Sequence, residues 1–182
     1  MAHSTRWCIP LSKGKKGPAL YEIALFGMLG ALTFGAKVAL MALPNIEPVS
    51  LLVMLYAVVF GRKAVYPIYV YVLLEFLLYG INLMSINYLY TWLILAGVSW
   101  LLRRMTHPLG WAVVAGVFGL LFGLLCAPVY IVVGGPMYAL NWWISGIPFD
   151  LIHCGANFVI SLVLFVPLRK ILERLYRETQ KI

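Results

Sequence analysis

The chain has 182 residues, 63% hydrophobic and 11% charged, with a mean hydropathy of +0.94, whereas a soluble domain carries about 25% charged residues. Six membrane spans of about 20 residues each would take about 120 positions, which leaves no room for a separate soluble ATPase or enzyme module. The net charge of +8 is divided among short segments that flank apolar runs; it reads as topology and attraction to anionic inner-leaflet lipid, and excludes nucleic acid as a partner.

In chain order, a basic tail over 1–18 is followed by apolar runs predicted as helices near 19–43, 48–60, 64–80, 88–102, 111–133 and 144–168 and by a basic tail over 169–182. The expected fold is an all-α integral membrane protein, a compact bundle of six transmembrane helices forming one membrane domain over 19–168. Arg6, Lys13, Lys15 and Lys16 precede the first span, Arg62 and Lys63 join spans two and three, and Arg103 and Arg104 join four and five. Arg169, Lys170, Arg174, Arg177 and Lys181 follow the sixth. If every run crosses, these thirteen basic residues share one side, which the positive-inside rule makes cytoplasmic, together with both termini. The second run is short for a span, and a failure to cross would turn every later basic loop outward. The first run is too long for a signal-peptide core and lacks a small-residue cleavage site.

Cys8, Cys126 and Cys154 are odd in number and far apart, so neither a disulfide framework nor a metal-binding C-x-x-C is indicated. No phosphate loop, helical H-E-x-x-H or G-x-S-x-G setting occurs, so no catalytic residue, metal ligand or cofactor is assigned to this chain.

Lys37 is the basic residue left inside a span. At about 1.5 Å rise per residue, Lys37, Glu75 and Asp150 lie about 9, 7 and 9 Å below the outer surface. Charges at that depth tend to be functional, and the three are expected to face one another or a wet cavity in the outer half. Tyr71, Glu75, Tyr79 and Asn82 share one face of span three; Asp150, His153, Asn157 and Ser161 share one face of span six. Tyr88 and Trp92 are one turn apart on span four, with Asn87 beside them. The expected outer loops add Asn45, Glu47, Asn141 and Trp142. The candidate binding set is thus Lys37, Asn45, Glu47, Glu75, Tyr79, Asn82, Asn87, Tyr88, Trp92, Asn141, Trp142, Asp150, His153 and Asn157. Two blander readings stay open: a structural buried pair between Lys37 and Glu75 or Asp150, and a core histidine at His153.

Span one also carries Gly27, Ala31, Gly35 and Ala39 at intervals of four, a small-residue stripe that admits another helix closely. Its partner is either another helix of the bundle or another protein. Lys37 points about 160° away from the stripe at about 100° per residue.

The basic N-terminus, the six spans, the small-residue first helix, the turn Pro44-Asn45-Ile46-Glu47-Pro48-Val49-Ser50 and the approach to span six, Trp143-Ile144-Ser145-Gly146-Ile147-Pro148-Phe149-Asp150, together resemble the substrate-binding S component of an energy-coupling factor (ECF) transporter, over about residues 19–175. The resemblance implies a bacterial plasma-membrane protein that captures a vitamin or related micronutrient from outside. It also implies docking on a transmembrane coupling subunit with two ATPase subunits, which use the ATP. The family's Ala-x-x-x-Ala docking motif corresponds here to Gly27-x-x-x-Ala31 and Ala31-x-x-x-Gly35. Competing readings are an ion- or proton-coupled solute carrier and a membrane scaffold of the cell-morphogenesis type.

Overall fold

The computed structural model describes residues 20–43 and 46–180; the N-terminal tail, Asn45 and Lys181 lie outside them. The described residues form five α-helices, one 3-10 turn and no strand. The helices are α1 (Leu20–Ala39), α2 (Val49–Phe60), α3 (Val65–Tyr79), α4 (Leu83–Leu101) and α5 (Pro108–Thr179), with the 3-10 turn Gly61–Ala64 between α2 and α3. Six separate helices were expected, and this is corrected. The fifth and sixth runs belong to the 72-residue α5, whose backbone leaves helical geometry at Gly135 (φ 81°, ψ 174°).

Only glycine adopts that φ without strain, and Pro136, which lacks an N–H, suits the first position of the helix that resumes. One residue therefore does the work of a loop. The limbs on either side (108–134 and 136–179) pack antiparallel. Trp111 stacks on Phe165 at 4.3 Å, Gly123 N–H donates to the Asp150 carboxylate at 3.2 Å, and Tyr130 stacks on Trp142 at 3.8 Å.

Successive segments alternate in direction. α1 and α3 run parallel, since Glu22 pairs with Lys63, Phe26 stacks on Tyr66 and Lys37 pairs with Glu75. α2 runs against α1: Phe60 meets Phe26, and the Tyr56 hydroxyl donates to the Leu29 carbonyl. α4 opposes α3 through Tyr69 and the Leu89 carbonyl. The first limb of α5 opposes α4 through Tyr90 and the Leu125 carbonyl. The second limb runs alongside α2, from Asn157 on Ser50 to Tyr176 on Phe60.

α2 is the centre of the bundle, with ten of its twelve residues buried; a helix apolar all round is a core helix. At about 1.5 Å per residue it is about 18 Å long, short of the roughly 30 Å hydrocarbon layer. The burial pattern is inverted relative to a soluble protein. Glu22, Thr33, Ser50, Glu75, Asn87, Thr91, Asp150, His153, Asn157 and Ser161 are buried, while Met28, Leu32, Leu73, Leu77, Val117, Leu151 and Val163 are exposed. Three helical stretches, Leu20–Ala39, Val49–Tyr79 and Pro108–Thr179, are long and apolar enough to cross a membrane.

The two ends differ in chemistry. At one end the buried Glu22 carboxylate accepts from Lys63 Nζ at 2.6 Å, Gln180 Nε2 at 3.0 Å and the Tyr176 hydroxyl at 3.3 Å, joining α1, the 3-10 turn and the last turns of α5. Arg62 and Arg103 lie over the Trp100 ring, and Arg169 bonds Glu173. The opposite end carries Lys37 and holds a cavity.

Candidate functional site

The cavity, about 360 Å³, lies where α1 ends, Ile46 and Glu47 precede α2, α3 ends and α4 begins; Lys37, Glu47, Glu75, Tyr79, Asn82 and Tyr88 supply its polar and aromatic lining. Each has a local reason to be there. Lys37 is on the last turn of α1, where an ammonium suits the helix's negative end. Gly80, at φ 74°, stops α3 just after Tyr79. Asn82 then caps α4: its side chain accepts from Ser85 N–H at 3.0 Å, and Ser85 Oγ accepts from Asn82 N–H at 2.9 Å. This reciprocal pairing satisfies otherwise orphaned donors and sets the direction in which Tyr88 enters the cavity.

Lys37 Nζ donates to both Glu75 oxygens, at 2.9 and 2.8 Å. It also stands 5.6 Å from the Tyr79 ring centroid and 5.1 Å from that of Tyr88, within reach of the ring quadrupoles. The Tyr71 hydroxyl lies beside Glu75 without completing a hydrogen bond. Glu47 is half-buried and makes no ion pair or hydrogen bond among the described residues. Burial pushes its carboxyl above the usual range; Lys37 opposes the rise and Glu75 adds to it.

That shift has a sign. A carboxyl whose folded value is raised penalises the fold increasingly as pH climbs from the unfolded value to the folded one. Glu47→Gln is therefore expected to raise the melting temperature of the empty protein at pH 7, with the gain vanishing toward pH 4. A gain independent of pH in thermal melts would contradict the burial of this carboxyl.

The other expected site residues go elsewhere. Asn45 lies outside the described residues. Asn87 is a clasp and not a lining group: its amide donates to the Leu83 carbonyl, and its oxygen accepts from Tyr90, whose hydroxyl also reaches the Leu125 carbonyl. Trp92 is fully buried among Tyr71, Tyr88, Phe118 and Phe122. Asn141 and Trp142, expected on a loop, are helical because the Gly135 corner leaves no loop; Asn141 is exposed and Trp142 stacks on Tyr130.

Asp150 does not meet Lys37, since its carboxylate is held by the Gly123 N–H of the facing limb. His153 packs edge-on to Phe122, which also touches Tyr88, so this ring stands between His153 and the cavity. Asn157 donates to Ser50 Oγ at 3.0 Å and ties α5 to α2. Trp92 Nε1, His153 Nε2 and Ser161 Oγ are buried without a hydrogen-bond partner among the described residues. No three His, Cys, Asp or Glu side chains gather as metal ligands among the described residues.

The sequence reading did not foresee Ser85, Met41 and Met84 in the lining, or the Glu22 cluster at the far end. The Asn82-x-x-Ser85 spacing is a readable capping signal.

The small-residue stripe faces outward. Ala31 and Gly35 are exposed, Gly27 is half-buried, and a Cβ added at Gly27 or Gly35 would meet nothing within 4 Å. Contact with α3 is made on the other side, where Gly30 abuts Val70 and the Pro67 carbonyl. Comparison with known protein families, curated proteins and solved structures yields no match to this chain.

Proposed function

We propose that the chain is a membrane-embedded capture subunit that binds a small nutrient in the cavity and delivers it by docking on an ECF-type module of one transmembrane coupling subunit and two ATPases. The observation that carries this reading is the cavity itself, which joins a paired charge, aromatic faces and a carboxyl without an ion-pair partner among the described residues, at the end away from the basic residues. Six crossings, counting the limbs of α5 separately, would put that cavity outside and the basic end and both termini in the cytoplasm of a bacterium, by the positive-inside rule. Binding here needs no bond chemistry, and the ATP would be used by the partners.

The size favours a nutrient of one or two rings, because about 300 to 1,000 Å³ is usual for a small-molecule site. A cofactor as large as cobalamin would require a wider cavity than this one. Lipid surrounds the exposed apolar faces, and the open stripe of α1 is the surface offered to the module. The solute-carrier reading loses support from the position of Phe122, which interrupts any relay from Lys37 and Glu75 to Asp150 and His153.

The test is native mass spectrometry of the gently purified chain, expressed with and without an ECF module in rich medium. A retained small molecule together with assembly on the module is expected. An empty chain that ignores the module would overturn the proposal. Ala31→Trp is expected to abolish assembly while leaving the small molecule bound, because the added ring occupies only the open stripe. Undiminished assembly would remove the stripe as the docking surface.

A further inference from the structure

The charges around the cavity are unevenly committed. Lys37 is the sole cationic side chain among the described residues that line it, and both oxygens of Glu75 already hold its ammonium. Glu47, just before α2, has no such partner among the described residues. The groups facing it are Lys37 from α1, Tyr71 and Glu75 from α3, and Tyr88 from α4. Once ionised, Glu47 brings the local count to two carboxylates against one ammonium.

An anionic ligand would have to break the Lys37–Glu75 pair and approach Glu47. A cationic one would leave the pair intact and complete the count. The walls favour the same sign, since the Tyr79 and Tyr88 faces already flank an ammonium at 5.6 and 5.1 Å, and such faces attract cations and flat rings alike.

We propose that the cavity selects a small ring compound bearing a basic nitrogen, with the nitrogen paired to the Glu47 carboxylate and the ring against Tyr79 and Tyr88. This rests on the capture reading and names its substrate class. Glu47 precedes α2 while Tyr79 ends α3 and Tyr88 lies on α4, so the ligand itself would bridge these elements.

Because burial raises the Glu47 carboxyl, the empty site holds a proton to higher pH than an ordinary carboxylate does, and a cationic ligand expels it. Affinity should then climb with pH through the Glu47 titration and level off until the ligand's own nitrogen loses its proton.

The experiment has two arms. In the first, the small molecule ejected from the purified wild-type chain is identified by accurate mass; a compound with a basic nitrogen is expected. In the second, benzylamine, benzyl alcohol and benzoate, alike in size and differing in charge, are compared by thermal shift between pH 5 and 8. Benzylamine should stabilise the wild type most, with a shift that grows with pH. E47Q should bind it at least ten-fold more weakly without pH dependence, and E47D should keep the pH dependence at reduced affinity, which guards against a folding defect in E47Q.

A retained molecule without a basic nitrogen, a larger shift with benzoate, or an E47Q protein indistinguishable from wild type would overturn this inference and leave nutrient capture standing. No retained molecule and no shift with any probe would overturn both.

Discussion

Glu75→Ala should destabilise the protein by about 3 kcal/mol and empty the cavity, because an unpaired ammonium there repels a cationic ligand. The double variant Lys37→Met/Glu75→Leu, which keeps Glu47, Tyr79 and Tyr88, should recover most of the stability and the ligand. The single change strands the Lys37 ammonium among tyrosine rings, and breaking a buried ion pair from one side costs about 3–5 kcal/mol. The lower end applies here because the Lys37 side chain is 22% exposed while that of Glu75 is 4% exposed. Removing both charges takes away the desolvation problem along with the attraction, which is why apolar replacement of a whole buried pair is often neutral or better. Thermal melts and ligand occupancy by native mass spectrometry separate the two effects. A double variant that folds but stays empty would give the pair a direct part in binding and count against Glu47 as the partner of the ligand.

The second large effect belongs to the α5 hairpin. Gly119→Ala should cost about 3 kcal/mol, because its Cβ would stand 2.8 Å from the His153 carbonyl carbon and oxygen and 2.9 Å from Cys154 N. These are backbone atoms of the opposite limb and cannot turn aside as a side chain does. The limbs would have to part, weakening the nearby bond from Gly123 N–H to Asp150. Gly35→Ala is the control: nothing lies within 4 Å of that Cβ, so the change should be neutral or stabilise by up to about 1 kcal/mol through helix propensity. Equal melting temperatures for the two variants would show that the limbs do not touch at this register.

The apolar runs were legible because bilayer-length hydrophobic stretches announce themselves, and Lys37 and Glu75 because two lone charges at one depth have few other ways to be satisfied. Asp150 shared that depth, yet depth says nothing of azimuth, and the turn that aims it at Gly123 is set by close limb packing that only three-dimensional contact reveals. Gly134-Gly135-Pro136 was readable as a break but not as a one-residue corner, so Asn141 and Trp142 were expected on a loop. Asn87 and Asn157 looked like ligand groups because a polar side chain in a span signals a need for hydrogen bonds without saying with whom; here Tyr90 and Ser50 meet it. The Glu22 cluster was hidden by distance along the chain, its partners lying 41, 154 and 158 residues away.

The two lysine–glutamate pairs between α1 and the α3 arm have opposite polarity. α1 contributes the acid at the basic end and the base at the cavity end, and the α3 arm supplies the complement in each case. An α1 laid against α3 upside down would set Glu22 near Glu75 and Lys37 near Lys63, with like charges repelling at both ends. A slide of one helical turn, about 5.4 Å, would uncouple both pairs at once. α1 thus carries a charge code that only one orientation and one register against α3 can satisfy.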